Sequence, residues 1–461
     1  MKNRFIKIIT ILTAVTAMTA CSKNDTSNLF DNSRDPSSSF APIAIKTNAV
    51  KELRNPDTLN HDYPSQLFSN EQFVAFRNKI QAFSNRLSEV ILKREYAQDE
   101  NIALSPLSIE LCLGLAIRSA NGNTRKELLD LMDMDFETFD TWYKYYYDML
   151  YSDITNNSNE IMSQLLLDNS VWVSSAANPK DDCLDALRDN YYCHSFSADF
   201  QKQNKASNKA LSDYAYNKTK GLIKHDFDLS TDTLFVLMNT LYLKDIWNEA
   251  GANLPYASSD YHFKNADGVT SNKKLLEGYY VVGKAINTDD YSCFYTRTTN
   301  HRIYFVKPHE NKSLTETFTK ETMDYVLDNS NYETYYDEAN NVKYRTRCIF
   351  PEFEAKGDFD LLKVFQENLD CHLIFSNAAD LSNLSEDSIK CTSFRQVAVL
   401  KVNKEGTEGA AITYMGMEPT SVQVPIVTYV DETFLVDQEC GYILTDNNNN
   451  VIFTGTISNI D

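Results

Sequence analysis

The run from Leu234 to Leu243, LFVLMNTLYL, constrains the fold more than any other stretch of the chain. It carries no charge, only Asn239 and Thr240 interrupt its apolar side chains, and polar segments bound it. Such a run reads as a β-strand covered on both faces, because a strand with one wet face alternates polar and apolar positions. Val397 to Val402 is a second apolar run of strand type. A doubly covered strand needs layers on both sides and therefore a large core. With 461 residues, 43% hydrophobic and 23% charged, the chain can supply one and lies far from a disordered composition.

Helical periodicity precedes these strands. Ser69 to Gln72 has the pattern of a capping box, and Phe73, Phe76, Ile80, Phe83, Leu87 and Val90 then recur at steps of three and four. The spacing predicts an amphipathic helix of about six turns. Leu107 to Ile117 is apolar nearly all round and reads as a buried helix, whereas Phe139, Trp142, Tyr143, Tyr146 and Met149 mark one face of another. Further strand signals stand at Leu165–Leu167, Val171–Val173 and Arg347 to Phe353, and Tyr442–Leu444, Asn447–Asn450 and Val451–Phe453 read as a hairpin. Helices first and long strands later, with no internal repeat and no second boundary, define one large α+β domain.

The first twenty residues read as an address. Lys2, Arg4 and Lys7 stand before an apolar run from Ile8 to Ala20, too short for a spanning helix of about 20 residues, so the segment reads as a signal peptide. Met18-Thr19-Ala20-Cys21 resembles a bacterial lipobox, and the resemblance implies lipidation at Cys21 and an exported lipoprotein of the outer membrane or cell surface; an ordinary secretory signal with a chance cysteine is the alternative. Residues 21–67, rich in Ser, Asn, Asp and Pro, read as a flexible tether, and residues 68–461 as the folded domain.

Several function classes fall away. GxGxxG, GxxxxGK[ST], HExxH and GxSxG are all absent, so no cofactor or metal is expected. A net charge of −20 argues against a nucleic-acid partner. The cysteines after Cys21 have no CxxC or metal-ligand spacing, and Cys112 and Cys348 sit in apolar stretches as core thiols. Oxidation of some pairs in an exported protein stays open, with no pairing readable from sequence. A cysteine hydrolase using His194 or His372 has no local signature to support it.

One segment has strand chemistry and no evident place in a sheet. Glu405-Gly406-Thr407-Glu408-Gly409-Ala410-Ala411-Ile412-Thr413 follows an apolar strand directly, with Gly406 as a swivel and no hairpin turn. Thr407, Gly409 and Ala411 fall on one face at period two, all of them small. Such a segment is suited to entering a sheet later.

Here the chain resembles a serpin, with EGTEGAAIT similar to the proximal hinge of the reactive loop. Other blocks resemble the family in order: Asn101–Ile109 the entry to helix B, Asn121–Thr124 the turn into helix C, Asn169–Val173 the second strand of the main sheet. Thr219–Ile223 resembles the end of helix F, Asn239–Lys244 through Trp247 the third strand and the breach, and Phe350–Phe353, Ala379–Ser382 and Phe453–Gly455 follow. The resemblance spans residues 68 to 461. There are departures. Gln396 stands where the family's shutter usually has a histidine, with Ser105, Ser108 and Asn239 in place to hydrogen-bond it. Thr433 replaces the proline usual before Phe434, and Ile412 is bulkier than the alanine common in the hinge.

What the resemblance implies is a single serpin-type domain, with a large mixed central sheet, surrounding helices and an exposed reactive loop at about 405–428. It implies a monomer that traps proteases as a suicide substrate and is not itself an enzyme. The partner is a serine protease, with a cysteine protease as the alternative. Counting from Gly406 by the family's hinge length reaches Thr420-Ser421 as the reactive bond, whereas counting back from Phe434 reaches about Val422. Pro419 before Thr420-Ser421 favours the first. A small β-branched residue there, in a loop without Lys or Arg from Gly406 to Val430, suits an elastase-like or subtilisin-like protease. A serpin that is merely cleaved, or serves as a binding scaffold, is the alternative, disfavoured by the small inner face of the hinge.

Overall fold

The structure, a computed structural model, describes residues 7–13, 42–45, 47–156, 160–247, 253–329, 336–337, 342–407 and 428–461. Cys21 and Glu408, Gly409, Ala410, Ala411, Thr420 and Ser421 lie outside the described residues, as do residues 21–41 and 46 of the expected tether.

The predicted core helices are present. Helix Glu71–Glu95 buries Phe73, Phe76, Ile80, Phe83 and Leu87. Its cap is Asn70, whose side chain accepts from the amides of Gln72 and Phe73, and not Ser69, which ends a short 3-10 turn, Leu67–Ser69. Both residue types cap well, and the 3-10 turn moves the helix start one residue on. Helix Pro106–Ser119 is buried on nearly every side, with Ser105 as its N-cap and Pro106 in its first turn. Gly114 lets helix Phe136–Leu150 approach it: a Cβ there would stand 2.3 Å from the Tyr143 ring.

The doubly covered strand is Thr233–Ile246, buried at every position. It lies in a mixed sheet of 15 strands. On one side it pairs antiparallel with Ile161–Ser174, which unites the Leu165 and Val171 runs. Beyond that come Cys193–Ala198 and Val50–Arg54. Val50–Arg54 falls within the stretch expected to be tether, and is instead an edge strand. Arg54 ties it down by bonds of 2.7 Å to Asp185 and 2.8 Å to Asp181. On the other side of Thr233–Ile246 the sheet continues through Lys7–Thr13 to Ile389–Asn403 and then to Phe353–Asp360. The apolar core of the expected leader, which periodicity alone would not place in a sheet, is thus a strand of it.

The Arg347–Phe353 run is cut in two. Val342–Phe350 belongs to a second, five-stranded sheet and Phe353–Asp360 to the first, because Pro351 cannot donate to a ladder and interrupts the strand. The C-terminal hairpin forms as expected, Cys440–Asp446 with Val451–Ile457. The eight cysteines among the described residues are free and buried. Among the described residues, no helix is long and apolar enough to cross a membrane.

Candidate functional site

The hinge begins where strand Ile389–Asn403 ends. Asn403 turns the chain: its side-chain oxygen accepts from the amides of Glu405 at 2.8 Å and Gly406 at 3.2 Å. Gly406–Thr407 then folds back as a short strand between two others. Thr407 lies opposite Val402 on its own strand's edge and opposite Asp245 on Thr233–Ile246, antiparallel to both. Thr407 is wholly buried and its Oγ1 donates to the Asp245 carbonyl at 3.2 Å. The approach is so close at Gly406 that only glycine fits. Thr407, read from sequence as facing inward, does so, and the hinge already has its first residues in the sheet.

Trp247 closes this end of the sheet. It is buried, donates from Nε1 to the Asn403 carbonyl at 2.7 Å and packs on Phe350 with ring centroids 5.4 Å apart. It therefore braces the turn that starts the hinge.

Below Thr407 the Thr233 and Ile389 strands bound a slot. At its lower end Lys7–Thr13 runs parallel to both neighbours, with Thr13 level with Asn239 and Gln396. A strand lies between them at each end, which sets them about two strand spacings, ~9.6 Å, apart there. Between those ends, residues 397–401 have a ladder partner only on the Phe353–Asp360 side among the described residues, and residues 240–244 only on the Ile161–Ser174 side. A cavity of about 30 Å³ remains there, lined by Leu241, Leu243, Val397, Val399, Leu222 and Ile223. Leu222 and Ile223, just beyond helix Asn204–Lys218, pack on Val397 and Val399 and so cover the slot from outside.

The shutter residues are all buried and form two networks, joined where the Ser108 amide donates to Ser105 Oγ at 3.3 Å. Gln396 donates from Nε2 to the Ser105 carbonyl at 2.8 Å and accepts from the Ser105 amide at 3.1 Å. Ser108 Oγ donates to Asn239 Oδ1 at 2.7 Å, and Asn239 Nδ2 donates to Asn169 Oδ1 at 3.0 Å. Of the three partners expected for Gln396, only Ser105 bonds it, through its main chain. The reason is the intervening strand: Thr13 stands between Asn239 and Gln396 in register. Sequence spacing carried no signal for Asn169, which completes the second network.

A nucleophile is not built here. Burial pushes the Cys183 thiol up to about 11 and raises those of Cys193, Cys293, Cys348, Cys371 and Cys440 as well, which opposes thiolate formation. His194 faces Asp57 at 3.2 Å and Asp168 at 3.4 Å, and His372 faces Asp370 at 2.9 Å. Cys193 Sγ donates to the His194 main-chain carbonyl at 3.3 Å, and among the described residues neither imidazole ring bonds a thiol.

A hinge docked at the mouth of a strand-wide slot matches one family. The family model for serpin (serine protease inhibitor) matches residues 78–460, and the chain belongs to the serpin family. Serpin A3-1 of Bos taurus is 25% identical over 369 residues, covering 78% of this chain and 84% of that protein. Alpha-1-antiproteinase of Callosciurus caniceps is 25% identical over 341 residues, 73% and 79% of the two chains. Among solved structures, native tengpin, a thermophilic serpin, superposes with a TM-score of 0.66 at 18% identity, covering 89% of this chain and all of that one. Thyroxine-binding globulin in complex with thyroxine superposes at 0.63 with 18% identity, covering 83% of this chain and 99% of that one. The expected serpin fold, with its large mixed sheet and surrounding helices, is therefore the observed one. Serpins are in general protease inhibitors and not catalysts, and serine proteases are their general targets.

Proposed function

We propose that this chain is an inhibitory serpin, a suicide substrate whose loop is cut at Thr420-Ser421 and then inserts into the slot while the protease is still joined to Thr420 as an acyl-enzyme. The observation that carries this reading is a length match. The register places Thr407 opposite Asp245 and Val402. Extended antiparallel without a bulge, the same register brings Thr420 level with Asp232 and Ile389, the very ends of the Thr233–Ile246 and Ile389–Asn403 strands. Those strands offer an acceptor as long as the segment from Thr407 to Thr420. At ~3.3 Å per residue the attached protease travels about 46 Å. Loop insertion of this kind is an established conformational switch of serpins. Each ladder bond adds ~1 kcal/mol, so the sum makes insertion irreversible in practice.

An elastase-like or subtilisin-like serine protease fits the small Thr420 and the absence of Lys and Arg in the loop. The remaining parts of the proposal are a monomer, exported and held at the outer membrane or cell surface through acyl chains on Cys21, with residues 1–20 removed as a signal peptide. The lipobox-like Met18–Cys21 supports that location.

A second reading, a serpin cleaved without trapping, is favoured by one feature: Lys7–Thr13 holds the lower slot, which full insertion needs. Incubation with a panel of proteases followed by a denaturing gel separates the two. A band at the summed mass supports inhibition, and a clipped band alone supports the second reading. Mass spectrometry of the small released peptide should find it beginning at Ser421.

A further inference from the structure

The two residues that receive the hinge, Asp245 and Ile246, are both held by one turn, and Asp245 also pairs with Ser163 of strand Ile161–Ser174 on its other ladder side. That turn, Thr298–His301, joins strand Tyr291–Arg297 to strand His301–Pro308. Asp245 Oδ2 accepts from Thr298 Oγ1 at 2.5 Å and from the Asn300 amide at 2.9 Å, and it lies 2.5 Å from His301 Nδ1. The Ile246 carbonyl accepts from the Thr299 amide at 2.8 Å and from Thr299 Oγ1 at 3.1 Å. Asp245 is wholly buried and His301 almost so. Within the turn, Thr298 Oγ1 also accepts from the His301 amide at 3.1 Å, so the grip is internally braced.

A buried carboxylate held by three donors is a rigid anchor, since charge-assisted bonds in a dry site are strong and directional. Asp245 also offers the carbonyl that Thr407 Oγ1 uses and the ladder position opposite Thr407. One residue thus couples the turn to the hinge: its side chain faces the turn and its main chain faces Thr407. The pairing is 56 residues apart in sequence, which is why neither spacing nor motif announces it.

We propose that the Thr298–His301 turn is the backstop of the hinge, with Asp245 and His301 as positioning residues that hold the acceptor backbone in register for Gly406 and Thr407 and so permit insertion to start on that side. The proposal concerns the resting hinge, and its consequence for trapping rests on the inhibitory reading above.

Amide hydrogen exchange of the uncut protein tests it. In Asp245→Ala, exchange in the segment 402–407 should rise about tenfold or more, the loss expected for a charge-assisted anchor, while strand Cys193–Ala198 stays as in wild type. Asp245→Asn, which keeps an acceptor oxygen, should restore most of the protection. His301→Gln should have a smaller effect than Asp245→Ala and add little to it in the double variant, because both act through one anchor. Should Asp245→Ala fail to fold, His301→Gln and Thr298→Val carry the test. Unchanged exchange at 402–407, or an equal rise in Cys193–Ala198, would overturn the proposal. In a protease assay the same variants should shift product from covalent complex to clipped chain. If the exchange result holds but wild type forms no complex, the inhibitory reading fails while the backstop stands.

Discussion

Gly406 and Asp245 meet main chain to main chain: a Cβ on residue 406 would stand 2.2 Å from the Asp245 carbonyl oxygen. Because the obstacle is backbone in a paired strand, it cannot rotate away as a side chain would. Gly406→Ala should therefore expel the hinge or distort the end of the Thr233 strand, at about 1–3 kcal/mol, the usual range for overpacking. The expected outcome is a lower fraction of covalent complex with a susceptible protease, and more clipped chain, on a denaturing gel. Complex yield equal to that of wild type would mean that the docked hinge does not lead into insertion.

Thr407 tests the same site through charge instead of volume. Its side chain has no exposure and lies between two strands. Thr407→Arg would bring a cation into that gap at a cost of several kcal/mol, so insertion should slow and the variant should behave as a substrate. Thr407→Val, which loses only the 3.2 Å bond to the Asp245 carbonyl and stays compact, should keep most of the complex. The ratio of complex to clipped product for the two variants is the measurement, and equal ratios would remove Thr407 from the mechanism.

These positions mark how far sequence reasoning reached. The inward face of Thr407 was legible because it belongs to a contiguous small-residue pattern whose chemistry is local. Strand Thr233–Ile246 and the core helices were legible because burial on one or all sides leaves a period. Three features were not. Val50–Arg54 is too short and polar for its alternation to stand out, and the Arg54 pairs that dock it lie far away in sequence. The break at Pro351 hides inside an apolar run that continues on both sides. Gln396 loses Ser108 and Asn239 as partners because a strand from the far N-terminus stands between them, a relation no local window contains.

Core stability carries its own pH signature through Glu110. The carboxyl is buried in helix Pro106–Ser119, near Ser84 and Tyr146, and burial pushes its pKa up to about 8 despite the bonds those two hydroxyls donate. The folded state then holds a proton that the unfolded chain releases near the ordinary carboxylate value. Stability is accordingly greatest below that value and falls as pH rises toward 8, by ~1.4 kcal/mol per unit for this one group. Glu110→Gln should remove that slope and leave the protein more resistant at pH 8. Urea unfolding at pH 5, 6.5 and 8 checks this, and parallel profiles for wild type and variant would contradict it.

Lys7–Thr13 pairs with the strand edges that a loop inserting as proposed above would need. Continuing the hinge register downward puts residues 413–420 opposite 389–396 of one strand and 232–239 of the other, which are the positions that Lys7–Thr13 now pairs with. Both cannot be accommodated, so full insertion requires the N-terminal strand to leave. Loss of its ladder bonds on two sides offsets part of what the loop gains, at ~1 kcal/mol per bond. A chain retaining residues 1–20 should therefore be clipped more and trap less than one beginning at residue 21 with Cys21→Ser to prevent lipidation. Before any cut, the longer chain should melt higher, since its slot is partly filled. After cleavage of the loop, the shorter chain should show the larger rise in Tm, because only there can the loop fill the slot without displacing a strand. Differential scanning calorimetry of the four species, long and short, uncut and cut, decides the point. Equal rises for both chains would mean that Lys7–Thr13 does not hold the slot against the loop.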